Sequence, residues 1–129
     1  MRLIATLSPR HAAGMLAGLV QSDLLQIHDS GDTSMPVLRG LKNGTIRYEK
    51  LDLEEHWRTW AQVVADGYGD CEDLVPATVA ELETAGIKAR PVAYEAEPGV
   101  WHVVTQVFGV PGVNYIDPSR EGGMGDPLA

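Results

Sequence analysis

The spacing of apolar residues changes at Gly86, and that change sets what this chain can fold into. Before Gly86 the apolar residues recur three and four apart, as on helices. After it come three runs rich in β-branched and aromatic residues. "ARPVAYEAE" alternates loosely, Pro98-Gly99 turns, "VWHVVTQVFGV" follows, Pro111-Gly112 turns again, and "VNYID" makes a third strand. Strands joined by such short turns pair antiparallel in sequence order. The chain therefore reads as α+β: helices first, then an antiparallel meander with one helix packed against it. Its 129 residues suit a single domain over 1–129, large enough to bury a core without staples.

Within the helical half, Ser8-Pro9 reads as an N-cap followed by proline at the first helical position. Met15, Leu16, Leu19, Val20, Leu24 and Ile27 then keep helical spacing, which predicts a helix from Pro9 to His28. That stripe is either a core face or a docking face for a partner protein. Asp29 to Pro36 reads as a loop. Asn43-Gly44 is a turn signal that suggests a short hairpin between Val37–Leu41 and Thr45–Tyr48. A second helix is expected from Asp52, with Glu55 as its capping-box partner, Trp57, Trp60, Val63 and Val64 on one face, and Gly67 at its end. Leu74, Thr78, Leu82 and Ala85 predict a third helix closed by Gly86. "PSREGGMGDPLA" is expected to be an extended or mobile tail.

The net charge is −8, which repels phosphate backbones and argues against a nucleic-acid partner. A charged fraction of 22% with 44% hydrophobic residues is that of an ordered globular chain. No apolar run approaches the ~20 residues of a membrane span. The first apolar run, Leu3 to Leu7, is broken by Ser8-Pro9-Arg10-His11, so no signal peptide is expected. The single cysteine excludes an internal disulfide and a cysteine-rich zinc site.

That cysteine, Cys71, stands among acids: Asp70 before it, Glu72 and Asp73 after. These carboxylates read as caps and first-turn acids of a helix rather than as a calcium site. A nucleophilic cysteine needs help toward the thiolate, a base or orienter, and donors for an oxyanion. A helix N-terminus offers the first and third. Among the four histidines, His102 stands apart, since it lies in a predicted strand, on one face with Val104 and opposite Val103. Asp117 falls at the end of the next strand, with enough chain between for a strand, a turn and an antiparallel neighbour. The carboxylate can then orient the imidazole, as in a catalytic triad. Too few well-spaced ligands accompany Cys71 and His102 for zinc, and no metal or cofactor is expected. Pro76 complicates the helix start. Either the helix begins at Cys71 and its first turns are irregular, or Asp73 is the effective cap and Cys71 precedes the helix. The flanking acids oppose thiolate formation, so activation would rest on an ion pair with His102.

The ordered set "GYGDCEDL…AELETAGIKARPV", "WHVVTQV" and "YIDPS" resembles the transglutaminase-like cysteine peptidase superfamily, which has a papain-like fold. It is most similar to small transglutaminase-like proteins encoded among bacteriophage structural genes. Arg47-Tyr48 upstream and Asp117-Pro118-Ser119-Arg120 with Gly123-Met124 downstream extend the likeness. The resemblance implies a catalytic-type core over 51–119, preceded by a helix and loop extension over 1–50 and followed by a tail over 120–129. It implies Cys71 as nucleophile, His102 as general base or ion-pair partner and Asp117 as orienter. The Cys71 backbone N–H would serve the oxyanion, with Gln62 and Trp60 as candidates for a second donor and Asp70 beside the thiol. The implied substrate is a peptide or protein, a peptidoglycan peptide among the options, cleaved or cross-linked through a thioester. The alternative is a virion head or tail component, partnered by other virion proteins, whose triad is vestigial. Either would be a soluble protein of the bacterial host cytoplasm or the virion.

Overall fold

A computed structural model describes residues 9–49 and 58–123. Ten elements follow in order: α1 (Pro9–Ser30), α2 (Pro36–Asn43), β1 (Arg47–Tyr48), α3 (Trp60–Asp66), β2 (Tyr68–Gly69), α4 (Cys71–Thr84), β3 (Ala89–Glu97), β4 (Val100–Val110), β5 (Val113–Ile116) and α5 (Pro118–Glu121). The last three strands form an antiparallel sheet in the order β3-β4-β5. The protein is thus α+β with a small three-stranded meander, and the two Pro-Gly pairs fall at its two turns.

Helix α4 is the centre of the molecule. Every residue from Cys71 to Leu82 is buried, because the helix is enclosed on all sides rather than laid against one sheet. Its Cys71, Val75, Val79 and Leu82 side pack with Leu16 and Val20 of α1, Ala89 of β3, and Val103 and Val107 of β4. Its Leu74, Ala77 and Ala80 side meets Ile27, Val37, Leu41, Ile46, Trp60 and Val63. A helix apolar around most of its circumference belongs in such a place. Thr78 satisfies its hydroxyl there by bonding the Val75 carbonyl and the Thr105 hydroxyl of β4, both at 2.9 Å. Ile87 N–H closes the C-terminus by donating to Leu82 O at 2.9 Å, with Gly86 at φ 85.

Three expectations are corrected. The segment read as a hairpin is helix α2. Pro36 occupies its first turn, Val37, Gly40 and Leu41 are buried on one side, and Gly44 is its left-handed C-cap rather than a hairpin turn. Short strand β1 pairs in parallel with β2, at Arg47↔Tyr68 and Tyr48↔Gly69. Helix α3 starts at Trp60, where Thr59 and Gln62 form the capping box; Asp52, Glu55 and Trp57 lie outside the described residues, as does Ser8. The tail is anchored through Gly122. Helix α5 is capped by Asp117, and Gly122 O accepts from Tyr48 N–H at 2.8 Å. A Cβ on Gly122 would come within 2.6 Å of that nitrogen, so no other residue fits without displacing β1.

Helix α2 has no local cap: Met35 sits at φ 55 and its side chain caps nothing. Glu81 of α4 does the work from across the core. Its Oε2 accepts from Val37 N–H at 2.8 Å and from the Trp60 indole N–H at 2.9 Å, while Oε1 accepts from Leu38 N–H at 2.9 Å. Glu81→Ala strands three donors, two of them in wholly buried bonds. Unfolding in urea should show a loss of at least about 3 kcal/mol, since each unsatisfied buried group costs ~1–3 kcal/mol. A change below about 1 kcal/mol would mean that water replaces the carboxylate.

Candidate active site

Asp70 is the N-cap of α4, and the helix begins at Cys71 itself. Of the two starts that Pro76 left open, the structure takes the first, with Pro76 buried inside the helix. Proline there deprives the Glu72 carbonyl of an intrahelical donor. Asp70 Oδ1 accepts from Glu72 N–H at 3.0 Å and Asp73 N–H at 3.3 Å, and Asp73 Oδ2 accepts from Asp70 N–H at 3.1 Å. The capping role expected of these acids is therefore what they do. Asp73 Oδ1 also takes Arg58 N–H at 2.7 Å, tying the chain ahead of α3 to the start of α4. Gly69 lets the strand pass this corner; a Cβ there would lie 2.9 Å from the Asp73 Cβ. The Cys71 N–H is left with no partner among the described residues.

The Cys71 side chain is 1% exposed and packs on β4. Burial, then the charges of Asp70 and Glu72, push its thiol well above the ordinary range, while the Val103 N–H pulls the other way. The resting sulfur is therefore a neutral thiol held against the His102–Val103 peptide. This site is not a standing thiolate–imidazolium pair, and no hydrogen bond joins Cys71 to the His102 ring among the described residues.

Strand alternation explains the separation. Val103, Thr105 and Val107 turn to α4 and are buried, so His102 takes the other face. The ring is 3% exposed nevertheless. Its cross-strand partner Tyr94 meets it edge-to-face, with centroids 5.6 Å apart at 81°. Asp117 follows the last residue of β5. Continuing the register past Thr105↔Ile116 sets it diagonal to His102 on the same face. Its Oδ2 lies 2.9 Å from His102 Nε2. Asp117 Oδ1 also accepts from Arg120 N–H at 3.4 Å as the α5 cap, and Arg120 Nε stands 3.8 Å from Oδ2. A carboxylate bonded to Nε2 makes that nitrogen the donor, which leaves the neutral ring's lone pair on Nδ1.

The other residues singled out from the sequence have different work. Trp60 is buried and spends its indole N–H on Glu81. Gln62 is exposed and its Oε1 accepts from Thr59 N–H at 2.9 Å. The buried Asp23 is what residue spacing missed. Tyr94 pairs with His102 only once the β3–β4 register is known. Asp23 sits on the α1 stripe in phase with Leu16, Val20 and Ile27, a polar position among apolar ones. Among the described residues no group of three or more His, Cys, Asp and Glu side chains could hold a metal ion, and no helix is long and apolar enough to cross a membrane. Comparison of the chain with family models, curated proteins and solved structures gives no match.

Asp23 Oδ1 accepts from Trp60 N–H at 2.8 Å, and burial raises its pKa to about 7, with Asp73 and Glu81 adding to the shift. Burial likewise raises Asp70, Asp73 and Glu81. Each then binds a proton more tightly folded than unfolded, so stability is fully present below pH ~4 and is lost as pH rises through about 7 for Asp23 and about 8 for Asp70. Urea unfolding at pH 5 should exceed that at pH 8 by on the order of a few kcal/mol, and Asp23→Asn, which keeps an acceptor for Trp60, should flatten the slope. A profile rising from pH 5 to 8 contradicts the assignment. The ring tautomer is open to measurement too. Nitrogen-15 NMR should show His102 protonated at Nε2 near neutral pH, and an Nδ1–H ring would remove Nδ1 as the base.

Proposed function

We propose that this protein is a transglutaminase-like acyl-transfer enzyme of the papain-like fold class, acting on amide bonds through Cys71, His102 and Asp117. The observation that carries the reading is the 2.9 Å bond from His102 Nε2 to Asp117, formed on the same strand segment that packs on the Cys71 sulfur. That bond supports Nδ1 as the proton acceptor. The N–H of Cys71, at the first position of α4 and without a partner among the described residues, supports an oxyanion site.

In the proposed reaction the substrate uncovers Cys71 and brings its sulfur within reach of Nδ1. The thiol proton passes to Nδ1 as sulfur bonds to the carbonyl carbon, and the carbonyl electron pair moves to oxygen, facing the Cys71 N–H. Collapse breaks the C–N bond, and the departing amine takes the proton from His102. A thioester remains, which water or a second amine resolves. Asp117 keeps the ring oriented throughout and faces the imidazolium. We place the protein among phage-encoded proteins on the motif likeness alone, with a peptide or protein as substrate.

A second reading is favoured by one observation, the depth of Cys71 and its raised pKa. On that reading the chain is a virion head or tail component whose triad residues persist as core packing. Iodoacetamide labelling of Cys71 near neutral pH separates the two. The enzyme reading expects His102→Ala to slow labelling by at least about tenfold, with Asp117→Asn intermediate, because the imidazole generates the nucleophile. Equal rates in all three proteins, matching the rate of global opening, would sink it.

A further inference from the structure

We propose that the groove between α2 and the free edge of β5 binds an extended peptide segment carrying an acidic side chain, and delivers it to the Asp117 end of the site. The inference rests on the acyl-transfer reading above and names the substrate class for it. Strand β5 is an edge strand, bonded to β4 alone. Its outer backbone groups have no partner in the described residues. Such an edge accepts one more strand, and backbone pairing supplies affinity for any extended peptide. A helix faces it: Leu38, Arg39 and Lys42 of α2 line the opposite wall.

The space between is about 520 Å³, within the range of about 300–1,000 Å³ typical of ligand sites. Four residues of β5 run about 13 Å, enough to pair with a segment of similar length. Leu38, Val113 and Ile116 are half-buried hydrophobics at the margin of the core, and they give the groove an apolar floor. Charge then selects the occupant. On a chain of net charge −8, both titratable side chains that α2 contributes to this wall are cations. Asp117 and Glu121 line the same groove on the β5–α5 side and disfavour a carboxylate beside them, so the α2 wall is where one is held. An acidic side chain anchors on Arg39 and Lys42, and the chain runs along β5 toward the triad acid.

The test is an amide-resolved NMR titration of the intact protein with acetyl-Glu-Val-Thr-Val-amide and with its Gln counterpart. Saturable shifts should concentrate at residues 113–116. Affinity should fall at least tenfold for the Gln peptide, and similarly for the exposed double variant Arg39→Gln/Lys42→Gln with the Glu peptide. Shifts absent from β5, or equal affinity for the two peptides, overturn the proposal. So does sedimentation showing a peptide-free dimer that the peptide does not dissociate, since a second copy would then occupy the edge. The two readings fail separately. Peptide binding at β5 with a Cys71 thiol indifferent to His102 removes the enzyme and keeps the groove. A His102-dependent thiol with no shifts at β5 removes the groove alone.

Discussion

Helix N-termini resting on carboxylates are the constraint from which the rest of this structure follows. Each of α2 through α5 begins on an acid or an equivalent oxygen: Glu81 for α2, Asp23 and the Thr59 hydroxyl for α3, Asp70 for α4 and Asp117 for α5. Two of these acids come from other helices. Short helices such as α2 and α3 cannot hold themselves together in water, and their free N–H groups must find acceptors. Capping at a distance solves both problems, because the same hydrogen bond that satisfies the donor also docks the helix. The acidity of the chain is thus partly internal. Asp23, Asp70, Glu72, Asp73 and Glu81 are all buried, and for Asp23, Asp70, Asp73 and Glu81 the N–H groups they accept from offset part of the desolvation while burial still raises their pKa values.

This arrangement also positions the candidate site. Asp70 and Asp73 lock the start of α4, which puts Cys71 at the first helical position, its N–H unpaired among the described residues. Asp117 does double duty at the other end. One oxygen caps α5 and the other holds His102. Helix α5 is in turn fixed by Gly122 on Tyr48. The imidazole orientation therefore depends on a chain of contacts through α5 to β1, far in sequence from His102. Tyr94 completes the enclosure from β3.

Much of this was legible in the residues, and the parts that were not share a cause. The change of period at Gly86 and the two Pro-Gly pairs mark β3, β4 and β5 closely, because turn chemistry is local. The pairing of His102 with Asp117 follows from that register. Helix α2 was misread because Asn43-Gly44 serves a helix C-cap as well as it serves a hairpin. Its own N-terminal signal was missing, since the cap is Glu81, remote in sequence. Helix α3 was placed too early, because Asp52 and Glu55 match the capping-box pattern as well as Thr59 and Gln62 do. The tail looked mobile from its glycines, yet Gly122 is there for a close backbone approach. Signals carried by neighbours in the chain were readable, and signals carried across the core were not.

The acids around Cys71 now set the terms of any chemistry. Asp70 and Glu72 cap and flank the helix, and both oppose a negative sulfur. Burial opposes it more strongly still. A helix N-terminus contributes at most ~1–2 kcal/mol toward the thiolate, which is too little to offset complete desolvation together with two nearby carboxylates. The buried sulfur is therefore strongly disfavoured as a thiolate. Any reactivity must come with exposure of the sulfur, when water relieves the largest penalty and His102 can supply the counter-charge. On the proposed acyl-transfer reading, opening and activation would be one step, and a substrate that uncovered Cys71 would also be what made it a nucleophile.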